Sequence, residues 1–192
     1  MAALTLELDP NLVDRVLDSF PERGSWQVKP PRHEPGVSWD LDGTSGGVYA
    51  FLLPASMLSQ RRRMKLRSAA SIGPVKLEFC AHPRNTVSVN RERMSVVYVG
   101  RTHKLRRRLR LHFTMARKTS RRPLTVAQVR ERLLESDLAG TVKLAVKLMR
   151  EHTTIVFYSN ELSGVRGVAN RDVVETSLIG KYMPPFNIKA EH

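Results

Sequence analysis

The stretch VVYVGRTHKLRRRLRLHF, residues 96–113, joins an apolar strand to a strongly basic helix. The β-branched and aromatic residues before the glycine favour a buried strand. Over residues 103–114 the spacing of Leu105, Leu109 and Phe113, at i, i+4 and i+8, predicts a helix whose apolar stripe faces a core. The sequence therefore predicts a strand followed at once by a helix that packs on the same core.

The polar side chains of this helix are almost all cationic. Arg108 and His112 lie four residues apart along one shoulder of the apolar stripe, where a side chain can be half buried and still reach a cleft. Residues 101–122 contain ten Lys or Arg and no acid, whereas a salt-bridged surface helix would interleave glutamates. The helix is therefore suited to an anion that a partner supplies. Three arginines point away from the stripe, toward solvent or that ligand: Arg106, Arg107 and Arg110.

The whole chain carries the same excess of positive charge. Its 192 residues include 32 Lys or Arg against 18 Asp or Glu, which gives a formal net charge of +14 and a pI of about 10.7. Because basic residues displace counterions from phosphate backbones, the excess predicts a polyanionic partner. The alternative is a merely solubilising surface, which the clustering of the charge disfavours. A hydrophobic content of 41% allows one domain with a real core and excludes a disordered tail.

Three features bear on the compartment. A single cysteine, Cys80, excludes an internal disulfide and a cysteine-rich zinc site, which fits a reducing environment. The first ten residues, MAALTLELDP, lack the basic start of a secretory signal. No apolar run reaches the roughly 18 residues that a membrane span needs. We therefore expect a cytoplasmic protein with no membrane contact.

The N-terminal part predicts a helix and an arm ahead of the main domain. Residues 10–20 have helical periodicity, with Asp9 as the cap and Pro10 in the first turn. The stretch that follows is rich in Pro, Gly and Ser and contains both tryptophans, which indicates an irregular arm. We therefore expect a helix and arm over residues 1–45 and the main domain over residues 46–192.

The main domain begins with a predicted strand, GVYAFLL at 47–53, and continues into an insertion at about 55–94. The insertion contains a basic patch, SQRRRMKLR at 59–67, and two candidate strands, VKLEF and TVSVN, with a turn between them. The strand MSVVYVG, 94–100, then leads into the basic helix.

Three further helices and one strand complete the chain. Helices are predicted at 125–136 and 139–152, and β-branched and aromatic residues predict a strand at 153–159. The last helix, at 170–183, begins with Asn170 as its cap and is stopped by two prolines. This order of elements predicts an α+β fold, in which a small sheet is flanked by helices.

The last helix carries an acidic residue within its apolar face. Val174, Leu178 and Tyr182 define its apolar stripe, Ile179 widens the stripe, and Glu175 falls inside the widened face. A buried lone carboxylate costs several kcal/mol unless it is paired or binds a metal. Both a structural ion pair with a nearby arginine and a metal-binding role are consistent with this position.

Two short strand segments are similar to each other: GVY at 47–49 and YVG at 98–100. Each carries a glycine that permits close backbone approach. With four later residues in a fixed order, the two segments resemble the motif set of the GIY-YIG nucleases over residues 46–189. Valine replaces isoleucine in both segments, and the insertion accounts for their wide separation. The four later residues are Arg108, His112, Glu175 and, in PPFN, Asn187.

The resemblance implies a small central antiparallel β-sheet flanked by helices, and hydrolysis of phosphodiesters with Mg²⁺ or Mn²⁺. Glu175 would bind the metal, since Mg²⁺ often takes only one or two protein carboxylates. Tyr49 or Tyr98 would orient or deprotonate the attacking water, and Tyr49 is favoured as the base. An unperturbed phenol is a poor base at pH 7, so neighbouring cations such as Arg101 and Arg108 would have to lower its pKa.

Three other motif residues have expected roles by the same resemblance. Arg108 would hold the scissile phosphate and offset charge in the transition state. His112 would contact a phosphate oxygen or relay a proton. Asn187 would fix the geometry of the site, with a simple turn asparagine as the alternative.

The architecture is most similar to the compact type II restriction endonucleases of the family, because the chain has no room for a separate DNA-binding domain. Cutting both strands of double-stranded DNA at a palindrome would favour a homodimer. Arginines of the insertion either read guanine or contact the backbone alone. The expected DNA contacts are Arg61, Arg62, Arg63, Lys65, Arg67, Arg101, Lys104, Arg107, Arg117, Lys118, Arg121 and Arg122.

Three other interpretations stay open. A repair or structure-specific nuclease of the same family would cut branched DNA. A non-catalytic nucleic-acid-binding protein on the same fold would bind without cleavage, although an inactive relative would be free to lose some of the motif residues. An RNA-binding or ribosome-associated protein would fit the basic face but not a buried glutamate.

Overall fold

Seven strands and five α-helices make up the part of the chain that the computed structural model describes, residues 8–22, 25–29, 45–66, 75–113, 128–164 and 167–187. In chain order they are α1 (Pro10–Asp18), β1 (Gln27–Lys29), β2 (Gly47–Pro54), β3 (Arg62–Leu66), β4 (Val75–Phe79), β5 (Thr86–Val89), β6 (Glu92–Thr102), α2 (Leu105–Phe113), α3 (Gln128–Glu135), α4 (Val142–His152), β7 (Thr154–Tyr158) and α5 (Gly167–Tyr182).

Five of the strands form one sheet in the order β1-β7-β2-β6-β5, and all neighbours are antiparallel. β2 lies at the centre, and every residue from Gly47 to Leu53 is buried, which explains its continuous apolar sequence. β3 and β4 form a separate two-stranded ribbon. The predicted α+β class, with a small antiparallel sheet and flanking helices, is confirmed.

The sheet has two buried faces, because side chains alternate along each strand. On one face Tyr49 and Phe51 share a core with the apolar stripe of α2 and with α3 and α4. On the other face Val48 and Ala50 share a second core with α1 and α5. The tyrosine face and the α5 face are therefore different environments, and neighbouring residues of β2 belong to opposite sides.

The pairing of β2 with β6 brings the two short motif segments together. Tyr49 lies opposite Gly100, and Phe51 lies opposite Tyr98. The register shifts by one residue beyond Phe51, where β6 contains an extra residue, a β-bulge that no periodicity in the sequence revealed. The phenols of both motif segments consequently face the same side of the sheet.

The insertion is only partly what the sequence predicted. Both candidate strands exist, but they do not pair with each other: VKLEF is β4 and pairs with β3, whereas TVSV is β5 and pairs with β6. The tight turn that joins β5 to β6 is made by Asn90 and Arg91, both with positive φ, and such a turn matches the twist of the strands it joins. The predicted turn between the two candidate strands is present as a short 3-10 helix, Pro83–Asn85, although it does not join a hairpin.

The helices follow the predicted periodicity. Asp9 caps α1 by accepting a hydrogen bond from the Leu12 backbone N–H at 3.1 Å. The stripe of α2 is buried as expected, and residue 114 and residues 125–127, at the ends of two predicted helices, lie outside the described residues.

The predicted cap of the last helix is wrong. α5 begins at Gly167, and Asn170 lies buried inside it. The Asn170 side chain accepts a hydrogen bond from the Asp9 backbone N–H at 2.9 Å, so it ties the start of α1 to α5. The predicted end is confirmed, because the helix stops at Tyr182, before Pro184.

Part of the predicted arm belongs to the sheet. β1 pairs with β7, and the buried Trp26 donates a hydrogen bond from its indole N–H to the Val16 carbonyl oxygen at 3.1 Å. None of the helices in the described ranges combines the length and apolar composition of a membrane span.

Candidate active site

The Tyr49 hydroxyl is the centre of a buried polar cluster on the α2 face of the sheet. Arg108 donates a hydrogen bond from Nε to this hydroxyl at 3.1 Å, and Nε2 of His112 lies 3.0 Å from it. Tyr49 is fully buried, His112 is 2% exposed and Arg108 is half buried, so the phenol and the imidazole are held inside the protein. Three residues from the predicted motif set therefore meet around one oxygen atom.

Two glycines make this arrangement possible. A Cβ at Gly100 would lie 2.8 Å from the Tyr49 hydroxyl oxygen and from the Tyr98 ring, so only glycine leaves room for the two phenols. A Cβ at Gly47 would lie 2.7 Å from the Leu105 side chain, which shows how closely α2 approaches β2. The glycines of the two motif segments are thus required by packing at the site.

The register of α2 positions its polar residues. Leu105, Leu109 and Phe113 are buried, which turns Arg108 and His112 toward the sheet. Arg150 of α4 donates a hydrogen bond to the Phe113 carbonyl oxygen at 2.9 Å and so caps the end of α2.

Aromatic rings enclose the histidine. The Phe51 ring lies 4.9 Å from the His112 ring in an edge-to-face arrangement, and the Tyr98 ring lies 6.0 Å from it. This shell excludes water from the imidazole, and edge-to-face contacts also restrain its orientation.

The expected lowering of the Tyr49 pKa is not observed. Burial raises the pKa of the Tyr49 phenol above its ordinary value, the Tyr98 phenol adds to this, and Arg108 offsets only part of it. Arg101, which had been expected to contribute, lies on the other face, opposite Val48. The cost of burying a phenolate therefore exceeds its attraction to the half-buried Arg108.

The histidine is held neutral. Burial lowers the pKa of His112 to about 3, and the positive charges of Arg108 and Arg130 act in the same direction. Its Nδ1 atom is buried and has no hydrogen-bond partner within the described residues. A neutral imidazole beside a phenol is able to accept a hydrogen bond from its O–H, whereas the low pKa opposes transfer of the proton.

Glu175 lies on the opposite face, and it is less buried than predicted. Its side chain is 21% exposed, and its carboxylate accepts a hydrogen bond from Nε of Arg101 at 2.6 Å. Arg101 also forms an ion pair with Asp172, one turn earlier on α5. The structural ion pair that the sequence left open is thus present, and it is partly solvated because α5 presents this edge to solvent.

The two clusters approach each other at Tyr98. Burial raises the pKa of the Tyr98 phenol, Arg108 lowers it, and the negative charge of Glu175 raises it. The Glu175 carboxylate therefore lies within electrostatic range of a phenol that stacks against the Tyr49 cluster.

The donor set suits a hard cation that keeps its own waters. No group of three or more His, Cys, Asp or Glu that could hold a metal occurs among the described residues, so the site does not resemble a closed transition-metal cage. Mg²⁺ and Mn²⁺ accept one or two carboxylates, and Glu175 with Asp172 nearby fits that requirement.

Asn187 holds the unpaired edge of β6. Its side-chain oxygen accepts a hydrogen bond from the Val99 N–H at 2.7 Å, and its side-chain N–H donates to the Val99 carbonyl oxygen at 2.7 Å. The amide satisfies both backbone groups as a neighbouring strand would. This contact explains how a residue near the C-terminus positions the strand that carries Tyr98.

The predicted DNA contacts have different surroundings. Side chains of Arg61 and Arg63 are 81% and 79% exposed, and both lie near Glu78 of the ribbon. Arg62 is half buried and donates to the Met57 carbonyl oxygen at 3.3 Å. Lys104 and Arg107 are exposed. The Lys65 side chain, Arg67, Arg117, Lys118, Arg121 and Arg122 lie outside the described part of the structure.

Three residues near the site were not predicted from the sequence. Asp172 precedes Glu175 by one helical turn, and that spacing was visible in the sequence. Phe51 and Arg130 approach His112 only through tertiary packing, so nothing in the sequence distinguished them.

No protein-family model matches the chain, and no curated protein or solved structure matches it either.

Proposed function

We propose that the protein is a metal-dependent endonuclease that hydrolyses phosphodiester bonds in double-stranded DNA, with a GIY-YIG type of active site. One observation carries the proposal: the Tyr49 hydroxyl lies between Arg108 and a neutral His112, with Glu175 near the second phenol. A phenol, a guanidinium and a neutral imidazole on one face of the sheet, with a carboxylate within electrostatic range of Tyr98, are the types of group that phosphodiester hydrolysis needs.

Tyr49 orients the attacking water in this proposal. Because Arg108 donates to the Tyr49 oxygen, the O–H of Tyr49 is free to donate to Nε2 of His112. With its own proton held in this way, the Tyr49 oxygen accepts a hydrogen bond from the water, and no phenolate forms. The low pKa of His112 disfavours a relay of the proton to the imidazole, so His112 orients the phenol and the water proton passes to an oxygen of the substrate phosphate.

Arg108 connects the Tyr49 cluster to the substrate. It is half buried and donates a hydrogen bond to the buried Tyr49 hydroxyl. When the guanidinium turns to a phosphate, it exposes the hydroxyl to the attacking water and offsets charge that develops in the transition state. Glu175 would hold Mg²⁺ or Mn²⁺, which supplies Lewis-acid stabilisation of the phosphate oxygens when bound.

The substrate class follows from charge. A net charge of +14 and the exposed arginines of the β3–β4 ribbon favour a duplex phosphate backbone as the partner. Recognition elements within the fold suit a type II restriction enzyme that acts in the cytoplasm as a homodimer, since palindromic sites match two-fold symmetry. A repair nuclease is the second candidate of the same chemistry.

The deciding experiment digests a supercoiled plasmid of known sequence in Mg²⁺ and sequences the ends. Discrete fragments with one end sequence support a restriction enzyme. Cleavage confined to flaps or junctions supports a repair nuclease. Salt-sensitive binding without any cleavage would replace the nuclease proposal by a non-catalytic nucleic-acid-binding protein, in which Glu175 serves only its ion pair with Arg101.

Glu175→Gln tests the metal role directly. The variant keeps the size of the side chain and loses the charge, so cleavage is expected to fall by a factor of at least about 1,000 while duplex binding in EDTA stays near wild type. Glu151→Gln, an exposed change on α4, is the matched control. Undiminished cleavage by Glu175→Gln would remove this residue from the site.

A further inference from the structure

Arg101 holds two carboxylates with two different parts of its guanidinium. Nε donates to Glu175 at 2.6 Å, and Nη1 forms the ion pair with Asp172. β6 places Arg101 opposite Val48, on the face that packs against α5, and residues three apart on α5 share that face. The strand and the helix thus bring one cation to two acids that differ by one helical turn.

All three side chains remain accessible to water. Arg101 is 43% exposed, Asp172 is 45% exposed and Glu175 is 21% exposed. Partly solvated ion pairs are weak and rearrange readily. The contact between Arg101 and Glu175 therefore can be exchanged for another partner without disturbing the cores on either side of the sheet.

A divalent cation on Glu175 and the Arg101 guanidinium exclude each other, since both are positive and both require the same carboxylate. Asp172 offers Arg101 a second anchor that does not depend on Glu175. When Nη1 stays paired with Asp172, the Nε–H of Arg101 remains beside Glu175. A guanidinium in that position is well suited to bind phosphate.

We infer that Arg101 and Asp172 form an exchange device: Arg101 holds Glu175 before a divalent cation binds, and Asp172 then keeps Arg101 beside the site as a second phosphate-binding arginine. Asp172 is a positioning residue in this scheme, because it acts through Arg101. The inference rests on the proposed function and adds residues to it that the motif resemblance does not include.

Mn²⁺ binding without DNA, followed by electron paramagnetic resonance of the free ion, tests the first half. Arg101→Gln removes the competitor and is expected to tighten Mn²⁺ binding by up to about fivefold. Asp172→Asn leaves Arg101 dependent on Glu175 and is expected to weaken binding by a similar factor. In the Arg101→Gln background, Asp172→Asn is expected to change the affinity by less than about twofold, because neighbouring residues that act through one another are not additive.

Duplex binding tests the second half. In EDTA, Arg101→Gln is expected to weaken affinity only slightly, because Arg101 is occupied by Glu175. In Ca²⁺ the loss is expected to be several times larger, because Arg101 then contacts a phosphate. Arg110→Gln, an exposed change of the same charge on α2, is the control and should give the same loss in both conditions.

The outcomes separate this inference from the proposed function. If wild-type protein binds no Mn²⁺, both the metal site and the inference are overturned. If Mn²⁺ binding requires Glu175 but the effects of Arg101→Gln and Asp172→Asn add, the inference alone is overturned, and Asp172 contacts the metal itself. Arg101→Lys, which retains a competing charge, should bind Mn²⁺ like wild type, and thermal melts confirm that each variant folds.

Discussion

Arg108 and Arg101 flank the same strand-to-helix connection, yet their surroundings are opposite. Arg108 faces the α2 side, where its Nε is bonded to a fully buried phenol beside a neutral histidine. Arg101 faces the α5 side, where its partners are two carboxylates that water also reaches. One cation organises a dry hydrogen-bonded cluster, and the other belongs to a wet ion-paired one.

Burial gives the two clusters different physical properties. Groups in the dry cluster are fixed before any substrate arrives, because an unmade hydrogen bond there is costly. Groups in the wet cluster exchange partners at little cost, because exposed ion pairs contribute little to stability. In the proposed nuclease, orientation of the attacking water needs the first property, and binding of metal and phosphate needs the second.

Tyr49→Phe is expected to have the largest effect on the dry side. The change removes the hydroxyl between Arg108 and His112 and keeps the ring, so single-turnover cleavage should slow by about 100-fold to 10,000-fold. Tyr182→Phe, at a buried tyrosine of α5, is the matched control. A near-normal rate for Tyr49→Phe would remove Tyr49 from the proposed role and shift that role to Tyr98, whose phenol faces the same side of the sheet.

Because His112 is buried in its neutral form, we expect the fold to lose stability in acid. Because the His112 pKa is about 3 in the folded protein and about 6.5 when unfolded, only the unfolded state takes up the proton between these values. Stability is therefore complete above pH 6.5 and falls as pH decreases, by about 2 kcal/mol at pH 5. Urea unfolding of wild type and His112→Gln across pH 4–8 checks this. Parallel pH profiles for the two proteins would show that His112 is not held neutral.

Asn187→Ala is expected to destabilise the edge of β6 that separates the two clusters. Two backbone groups of Val99 lose their partner, which should cost about 1–2 kcal/mol in the free energy of unfolding. Asn187→Asp keeps the acceptor but sets a carboxylate oxygen against the Val99 carbonyl oxygen, so its loss should be at least as large as that of Asn187→Ala. Unchanged stability in both variants would indicate a simple turn residue.

The smallest effect is expected at the ribbon, where cations are most exposed. Replacing Arg61 and Arg63 by alanine should weaken duplex binding several-fold and lower the salt dependence of log Kd by about one per lost phosphate contact. Folding stability should not change, because their pairs with Glu78 are solvated. Arg93→Ala, an exposed arginine of β6, is the control. An identical salt slope for wild type and the double variant would place the ribbon away from DNA.

Much of the fold was predictable because local patterns agree with it. The stripe of α2, the cap of α1 and the apolar strands β2, β6 and β7 follow from residue spacing alone. The pairing of β4 and β5 was not predictable, since short strands of similar composition have no local preference for one partner over another. Asn170 was wrongly predicted to cap α5, because its side chain accepts a hydrogen bond from Asp9, which is distant in the chain.

Most helices and strands, the excess of cations and the chemical types in the motif followed from the sequence, because these depend on spacing and composition, whereas the short strands β1 and β3 were not predicted. The tertiary structure alone decided that Tyr49 and Arg101 face opposite sides, that His112 is neutral, and that Glu175 is paired and partly exposed. Strand register and desolvation set these properties, and both arise only when distant segments pack together.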